Sequence, residues 1–398
     1  MEVNLENTYD IDELSTFLIH YGEIALKKGN RKYFENALIR NIKLIAEKIG
    51  ACRIRRFPGR MYLEYAKPID DVLLLKRLSR VFGIVKIAKT ICCETGIEQI
   101  KAAAANIVTK KKFKTFAVRS RRGEKKFPIR SQQINELVGS YVQSLTKAAV
   151  NLSDPEFTLY IEILDQRTFV FGDSIKGLGG LPVGISGKIA CLISGGIDSP
   201  VAAWRMMKRG CLPVYVHFYS APYTSDASKD KVIDMVSHLM DGQPSSVIYM
   251  VPFGMIQQKI VVKVPAPYRV LMYRRFMMRI AEQIAIREGA LALATGEALA
   301  QVASQTLSNL LTINSVVNMP VLRPLIGMDK QEIVDEAKII GTFDVSIEPH
   351  DDCCSFLMPP NPVTKSNLEE MNNIEKPIDI NELVNLGLES FKIIAINK

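Results

Sequence analysis

The stretch KIACLISGGIDSPVAAWRMMKRG, residues 188–210, constrains the fold more than any other. KIACLIS is apolar without the alternation of a one-sided strand, which predicts a strand buried on both faces. Gly195 and Gly196 turn the chain, and PVAAWRMMKRG continues as a helix with Pro200 suited to its first turn. Three more apolar runs follow, LPVYVHFY, SSVIYMVPF and ALALATGE, separated by helical patterns. Strands and helices in that order predict a doubly wound parallel sheet covered on both sides. In such a sheet the turn after a strand lies at the carboxyl end, where free N–H groups and the helix dipole favour an anion.

Gly195 and Gly196 let the main chain approach phosphate oxygens with no side chain between. Two common phosphate loops are excluded. No Lys follows the glycines as the Walker A pattern requires, and G-x-G-x-x-G is missing. The plain alternative is a Gly-rich turn ahead of a well-capped helix, which the full strand–SGGIDS–helix run disfavours.

A length of 398 residues implies two or three domains. With 47% hydrophobic and 23% charged residues the composition is that of a soluble globular chain. No apolar run approaches the ~20 residues of a membrane span. MEVNLENTYDIDEL is acidic and polar, unlike a signal or transit peptide, so a cytoplasmic protein with no membrane partner is expected. Seven cysteines without a CxxC argue against a disulfide framework, a zinc ribbon or a simple cluster. The four histidines, at 20, 217, 238 and 350, show no metal-ligand spacing, so no metal ligands are assigned. Cys191 and Cys211, on apolar strands or their edges, are expected to be buried thiols, and Cys92 and Cys93 carry no assigned chemistry.

The net charge of +9 is uneven: residues 1–180 carry +11 and residues 181–398 carry −2. Residues 101–130 hold eleven Lys/Arg against one Glu. Lys110, Lys111, Lys112, Lys114, Arg119, Arg121, Arg122, Lys125, Lys126 and Arg130 cluster there, with Phe113, Phe116 and Phe127 interleaved. Such a cluster suits a polyanion, though a solvated basic face has the same composition.

Patterning divides the front half in two. Residues 14–94 read βαββαβ, a ferredoxin-like unit with a hairpin around Pro58-Gly59. A second unit follows, with helices over IEQIKAAAANIVTKKK and SQQINELVGSYVQSL, the latter capped by Ser131, and a strand pair around Asp165-Gln166. IKGLGGLPVGISGK marks a boundary or hinge. The expected domains are 1–75, 76–175 and 187–398, with a linker at 176–186. The last thirty residues, acidic and Asn-rich, are left unassigned.

SGGIDS resembles the SGGxDS motif of the PP-loop ATP pyrophosphatases. That resemblance implies that Ser194, Gly195, Gly196 and Ser199 hold the pyrophosphate of ATP, with Asp198 supporting Mg²⁺ or the loop. Further blocks resemble the tRNA 4-thiouridine synthetase family: HYGEIALKKGNRKYFE (20–35), FAVRSRRGEKKFPIRSQQIN (116–135), GLGGLPVGISGK (177–188) and TGEALAQVASQT (295–306). HFYSAPYTS (217–225) and LRPLIGMDKQEI (322–333) extend the likeness.

The resemblance implies an N-terminal ferredoxin-like domain, an RNA-binding THUMP domain and a PP-loop domain. The implied activity is transfer of AMP to C4 of the uridine at position eight of tRNA, then replacement of the activated oxygen by sulfur. On the nucleotide side it implies Leu192, Ile193, His217, Phe218, Arg274, Gly296, Gln301 and Gln305. Lys330 matches the family's functional lysine, which suits a cation on the α-phosphate. Cys353 aligns with the family's catalytic cysteine, and Cys354 is the near alternative; Asp351 and Asp352 would tend to raise a neighbouring thiol's pKa.

Some members carry a rhodanese domain that has no counterpart up to Lys398. A separate sulfur donor is therefore expected, such as a cysteine desulfurase, another persulfide carrier or free sulfide. A homodimer and a secondary role in sulfur supply for thiamine thiazole are also implied. The competing classes are another PP-loop enzyme, tRNA-modifying or amide-forming, and a non-catalytic RNA-binding protein.

Overall fold

The computed structural model describes residues 15–123, 127–220, 227–348 and 359–396, and the chain divides after Gly180 into two units. The first unit opens with β1 (Thr16–Tyr21), α1 (Arg31–Ala46), β2 (Cys52–Phe57), β3 (Arg60–Tyr65), α2 (Asp71–Leu78) and β4 (Ile84–Lys89). It continues with β5 (Ile91–Glu94), α3 (Ile97–Val108), β6 (Thr115–Arg122), α4 (Ser131–Thr146), β7 (Ala149–Val150), β8 (Phe157–Leu164), β9 (Arg167–Phe171) and β10 (Ile175–Lys176).

One sheet has the order β10-β4-β1-β3-β2, antiparallel throughout. All six residues of β1 are buried, the polar Thr16 and His20 along with the apolar Phe17, Leu18 and Ile19. The expected division at residue 75 falls before β4, which pairs with β1 and places Ile84, Ile87 and Ala88 in the core. The second sheet has the order β5-β9-β8-β6-β7, with β6 parallel to β7 and β8 and the other pairs antiparallel. Leu18, Tyr62 and Ala88 of the first sheet share a core with Leu164, Phe169 and Phe171 of the second.

Both predicted hairpins form. Gly59 has φ +77°, and Asp165 and Gln166 turn with φ +47° and +62°, the left-handed pair that a two-residue hairpin loop needs. The expected cap at Ser131 moves back one residue. Arg130 is the N-cap, and its amide donates to Gln133 Oε1 at 3.0 Å.

The second unit holds β11 (Lys188–Leu192), α5 (Asp198–Lys208), β12 (Leu212–Tyr219), α6 (Ala227–Leu239), β13 (Ser246–Pro252), α7 (Gly254–Lys263) and α8 (Arg269–Glu288). After these come β14 (Leu293–Ala294), α9 (Leu307–Asn314), β15 (Val321–Leu322), α10 (Lys330–Ile340), α11 (Phe343–Ile347), α12 (Leu368–Glu375), α13 (Ile380–Ser390) and β16 (Lys392–Ile396). The sheet order is β15-β14-β11-β12-β13-β16, parallel except for β16 at the edge. The unassigned tail thus supplies nearly all of α12, the whole of α13 and an antiparallel edge strand.

Strand order reverses at β11, between β14 and β12. The carboxyl end of β11 is therefore the topological switch point, where open α/β sheets form their crevice. Most of the expected linker is bonded into one unit or the other. Gly177 and Gly179 donate to Val85 O and Ile84 O, whereas Leu181 and Gly184 donate to Lys208 O and Gly210 O.

Candidate functional site

The SGGIDS turn runs from the end of β11 into α5. Ser194 N–H donates to Ser199 Oγ at 2.9 Å, and the two serine hydroxyls lie 3.1 Å apart. The turn is thus closed by its own side chains at the N-terminal end of an eleven-residue helix, where the dipole favours negative charge.

A cleft of about 280 Å³ opens there. Leu192, Ile193, Ser194, Gly196, Asp198 and Ser199 form one side, and Arg274, Gly296, Gln301 and Gln305 line it as well. The structure brings in Val216, Met277, Met278 and Ile313, which the sequence did not single out, together with Thr295, Glu297 and Val302 of the TGEALAQVASQT block. Apolar walls with a few polar groups are the usual composition of a small-molecule site.

Two expected residues stand apart from the lining, Gly195 and His217. On β12, Val216 and Phe218 line the cleft while His217 between them is turned away, as strand alternation dictates. His217 Nδ1 instead lies 2.9 Å from Ile193 O, bracing the strand end that leads into the turn.

Gly296 has a structural reason to be glycine. A Cβ there would lie 2.7 Å from both Ser199 N and Ser199 Cα. The chain after β14 therefore lies directly against the first turn of α5, which delivers Gln301 and Gln305. Gln305 is buried, and its Oε1 has no hydrogen-bond partner among the described residues. Gln301 Nε2 donates to Asp198 Oδ2 at 2.9 Å, and Lys330 Nζ lies 2.5 Å from Asp198 Oδ1. Lys330 is the first residue of α10, capped by Asp329, whose side chain accepts from Glu332 N–H. Asp198 is thus held between an amide and an ammonium group at the mouth of the cleft.

Cys353 and Cys354 lie outside the described residues, as do Lys125 and Lys126. Cys52, Cys92 and Cys93 are half-buried, and Cys191 and Cys211 are buried as expected. Burial, with Cys92 and Glu94 adjacent, pushes the Cys93 thiol up to about 12, and burial raises Cys191 further. Neither is a thiolate near neutral pH. Among the described residues no group of three or more His, Cys, Asp or Glu is placed to hold a metal ion.

The basic residues gather in the second sheet's half of the first unit. Lys110, Lys111, Lys112 and Lys114 lie between α3 and β6, Arg119, Arg121 and Arg122 follow along β6, and Arg130 precedes α4. All but the half-buried Arg122 are exposed. Lys111 pairs with Asp173, and Arg122 Nη1 donates to Phe127 O at 2.7 Å. The interleaved aromatics do not belong to this surface. Phe116 is fully buried, Phe113 stacks on Phe157 at 4.8 Å, and Phe127 packs on the same core, so these rings stabilise the fold.

A phosphate-type turn at the switch point of a doubly wound parallel sheet, preceded in the chain by an antiparallel sheet of ferredoxin-like strand order, marks the class as a PP-loop protein. Family models match in chain order: "ThiI ferredoxin-like domain" over 16–88, "THUMP domain" over 94–173 and "Thiamine biosynthesis protein (ThiI)" over 184–380. A "Probable tRNA sulfurtransferase" of Caldanaerobacter subterraneus is 42% identical over 92% of this chain and 96% of its own. One from Brevibacillus brevis is 43% identical over 92% of both chains. A solved 4-thiouridine synthetase–RNA complex with bound ATP is 37% identical, with a TM-score of 0.88 over 97% of this chain and 100% of that one. The chain belongs to the tRNA sulfurtransferase family.

Proposed function

We propose that this chain is an ATP-dependent tRNA uridine 4-sulfurtransferase that converts the uridine at position eight of tRNA to 4-thiouridine. The observation that carries it is the self-closed Ser194–Ser199 turn, which opens onto a nucleoside-sized cleft beside Asp198 and Lys330. The 37% identical neighbour, solved with RNA and ATP, supports the same substrates.

The chemistry follows from what each group can do. Amides of the turn and the α5 N-terminus hold the β,γ-pyrophosphate. Mg²⁺ bound with the triphosphate would offset its charge, and Asp198 is the carboxylate of the turn that would help hold it. The uridine O4 attacks the α-phosphorus, the bond to the bridging oxygen breaks, and pyrophosphate leaves. Lys330, freed from Asp198, stabilises the charge that grows on the α-phosphate.

The terminal sulfur of a persulfide on Cys353 then attacks C4, and AMP leaves with the former O4. A second thiol, Cys354 or an external one, cleaves the sulfur–sulfur bond, releasing 4-thiouridine and forming a disulfide. A cysteine desulfurase or another persulfide carrier supplies the sulfur. RNA lies across the basic surface, with phosphate contacts dominating affinity. A cytoplasmic homodimer, with a secondary part in thiamine thiazole sulfur supply, completes the proposal. Among the described residues no helix is long and apolar enough to cross a membrane.

The test is ATP, unmodified tRNA and a persulfide donor, with pyrophosphate and the near-UV absorbance of 4-thiouridine both followed. Wild type forms both, Asp198→Ala neither, and Cys353→Ser releases pyrophosphate without thiolation. Pyrophosphate release that ignores tRNA and responds to a small amine would overturn the proposal. Loss of thiolation in Cys354→Ser but not in Cys353→Ser would exchange the two cysteines' roles.

A further inference from the structure

The parallel pairing of Leu293 with Val321 and Ala294 with Leu322 brings Arg323, one residue past β15, beside the chain that leaves β14, where Glu297 lies three residues past the strand. Glu297 is 5% exposed. Its Oε1 accepts from Arg274 Nη1 at 2.6 Å, and its Oε2 accepts from Arg323 Nε at 2.6 Å and Thr295 Oγ1 at 2.9 Å. Burial would raise this carboxyl, but the charges of Arg274 and Arg323 and the hydrogen bonds outweigh it and hold it below the usual range.

One carboxylate thus neutralises one of two guanidinium groups. Arg274 and Glu297 line the cleft, so among the described residues this three-residue group carries one more positive than negative charge, while the Asp198–Lys330 pair is neutral. Arg274 Nε and Arg323 Nη2 are buried and have no hydrogen-bond partner among the described residues. Buried donors without acceptors are costly unless a ligand satisfies them.

We propose that Glu297 is a positioning residue: it holds Arg274, with Arg323 behind it, in the orientation that receives the anionic part of the nucleotide. Without the carboxylate, two like charges would face each other in a buried wall and move apart. The role depends on the cleft being the ATP site, as proposed above.

The test is a double-mutant cycle on the full chain, with ATP binding measured by calorimetry in the absence of tRNA. Glu297→Gln is expected to weaken ATP about ten- to hundredfold in the wild-type background. In an Arg274→Ala background the same change costs less than about twofold, since the residue it acts through is gone. Equal weakening in both backgrounds, or none in either, overturns the proposal. A wild-type protein that binds no ATP overturns the nucleotide assignment, and the role of Glu297 with it. Should Glu297→Gln fail to fold, Thr295→Val removes one bond to the carboxylate and is expected to weaken ATP about threefold. Unchanged affinity in that variant overturns the proposal.

Discussion

Lys330 Nζ lies 2.5 Å from Asp198 Oδ1, across 132 positions of sequence. The first residue of α5 thereby meets the first residue of α10 at the mouth of the cleft. On the proposed assignment a triphosphate entering there would compete for the ammonium group, and a solvent-exposed pair is weak enough to yield it.

Lys330→Gln is therefore expected to lower kcat for tRNA-dependent pyrophosphate release about 10²- to 10³-fold, because a cation is lost where transition-state charge develops. ATP binding without tRNA changes far less. Single-turnover pyrophosphate release and calorimetry separate the two, and an equal loss in both would place Lys330 in ground-state binding.

Gly296→Ala forces a methyl group to within 2.7 Å of Ser199 backbone atoms. Helix backbone yields little, so overpacking is expected to cost about 1–3 kcal/mol and displace the turn from the chain bearing Gln301. Thermal unfolding and ATP binding should both deteriorate. A variant as stable and as tight-binding as wild type would contradict the close approach.

Glu375 is buried and accepts from Arg275 Nη2 at 2.6 Å and Arg279 Nη1 at 2.5 Å, clamping α12 to α8. Burial raises its carboxyl, yet the hydrogen bonds and charges of Arg279 and Arg275 prevail and the net shift is downward. A folded-state pKa below the unfolded value of about 4.3 gives stability that is fully present above pH ~4.3. That stability is lost as pH falls through the lower folded value. Glu375→Gln is expected to lose about 3 kcal/mol at pH 7, since it strands buried guanidinium charge. Urea unfolding of both proteins from pH 7 to pH 3 checks this: the gap narrows at the acid end, whereas a constant gap would refute the linkage.

Lys112, Lys114 and Arg121 are exposed on the basic surface. Replacing all three by Ala is expected to weaken tRNA binding without changing preference among tRNAs. The slope of log affinity against log salt should flatten by about 0.7–0.9 for each phosphate the protein no longer neutralises. Fluorescence anisotropy across a salt series measures it, and an unchanged slope would remove these residues from the RNA surface.

Local features were legible because neighbouring residues determine them. The buried strand KIACL and the turn at Asp165-Gln166 appear where periodicity and turn chemistry put them, and the helix expected from Pro200 begins two residues earlier, at Asp198. Where a long-range partner decided, sequence pattern fell short. Phe113, Phe116 and Phe127 sit among basic residues but belong to the core beside Phe157. On one strand, alternation gives the cleft Phe218 and withholds His217.

By itself the sequence determined the domain classes, the SGGIDS turn and the family, because these reside in contiguous residues and short-range backbone preference. Tertiary structure alone decided that Asp198 meets Lys330 and Gln301, and that Glu297 is shared by Arg274 and Arg323. Strand order around β11 brings those partners together, and strand order is settled by burial summed over the whole sheet.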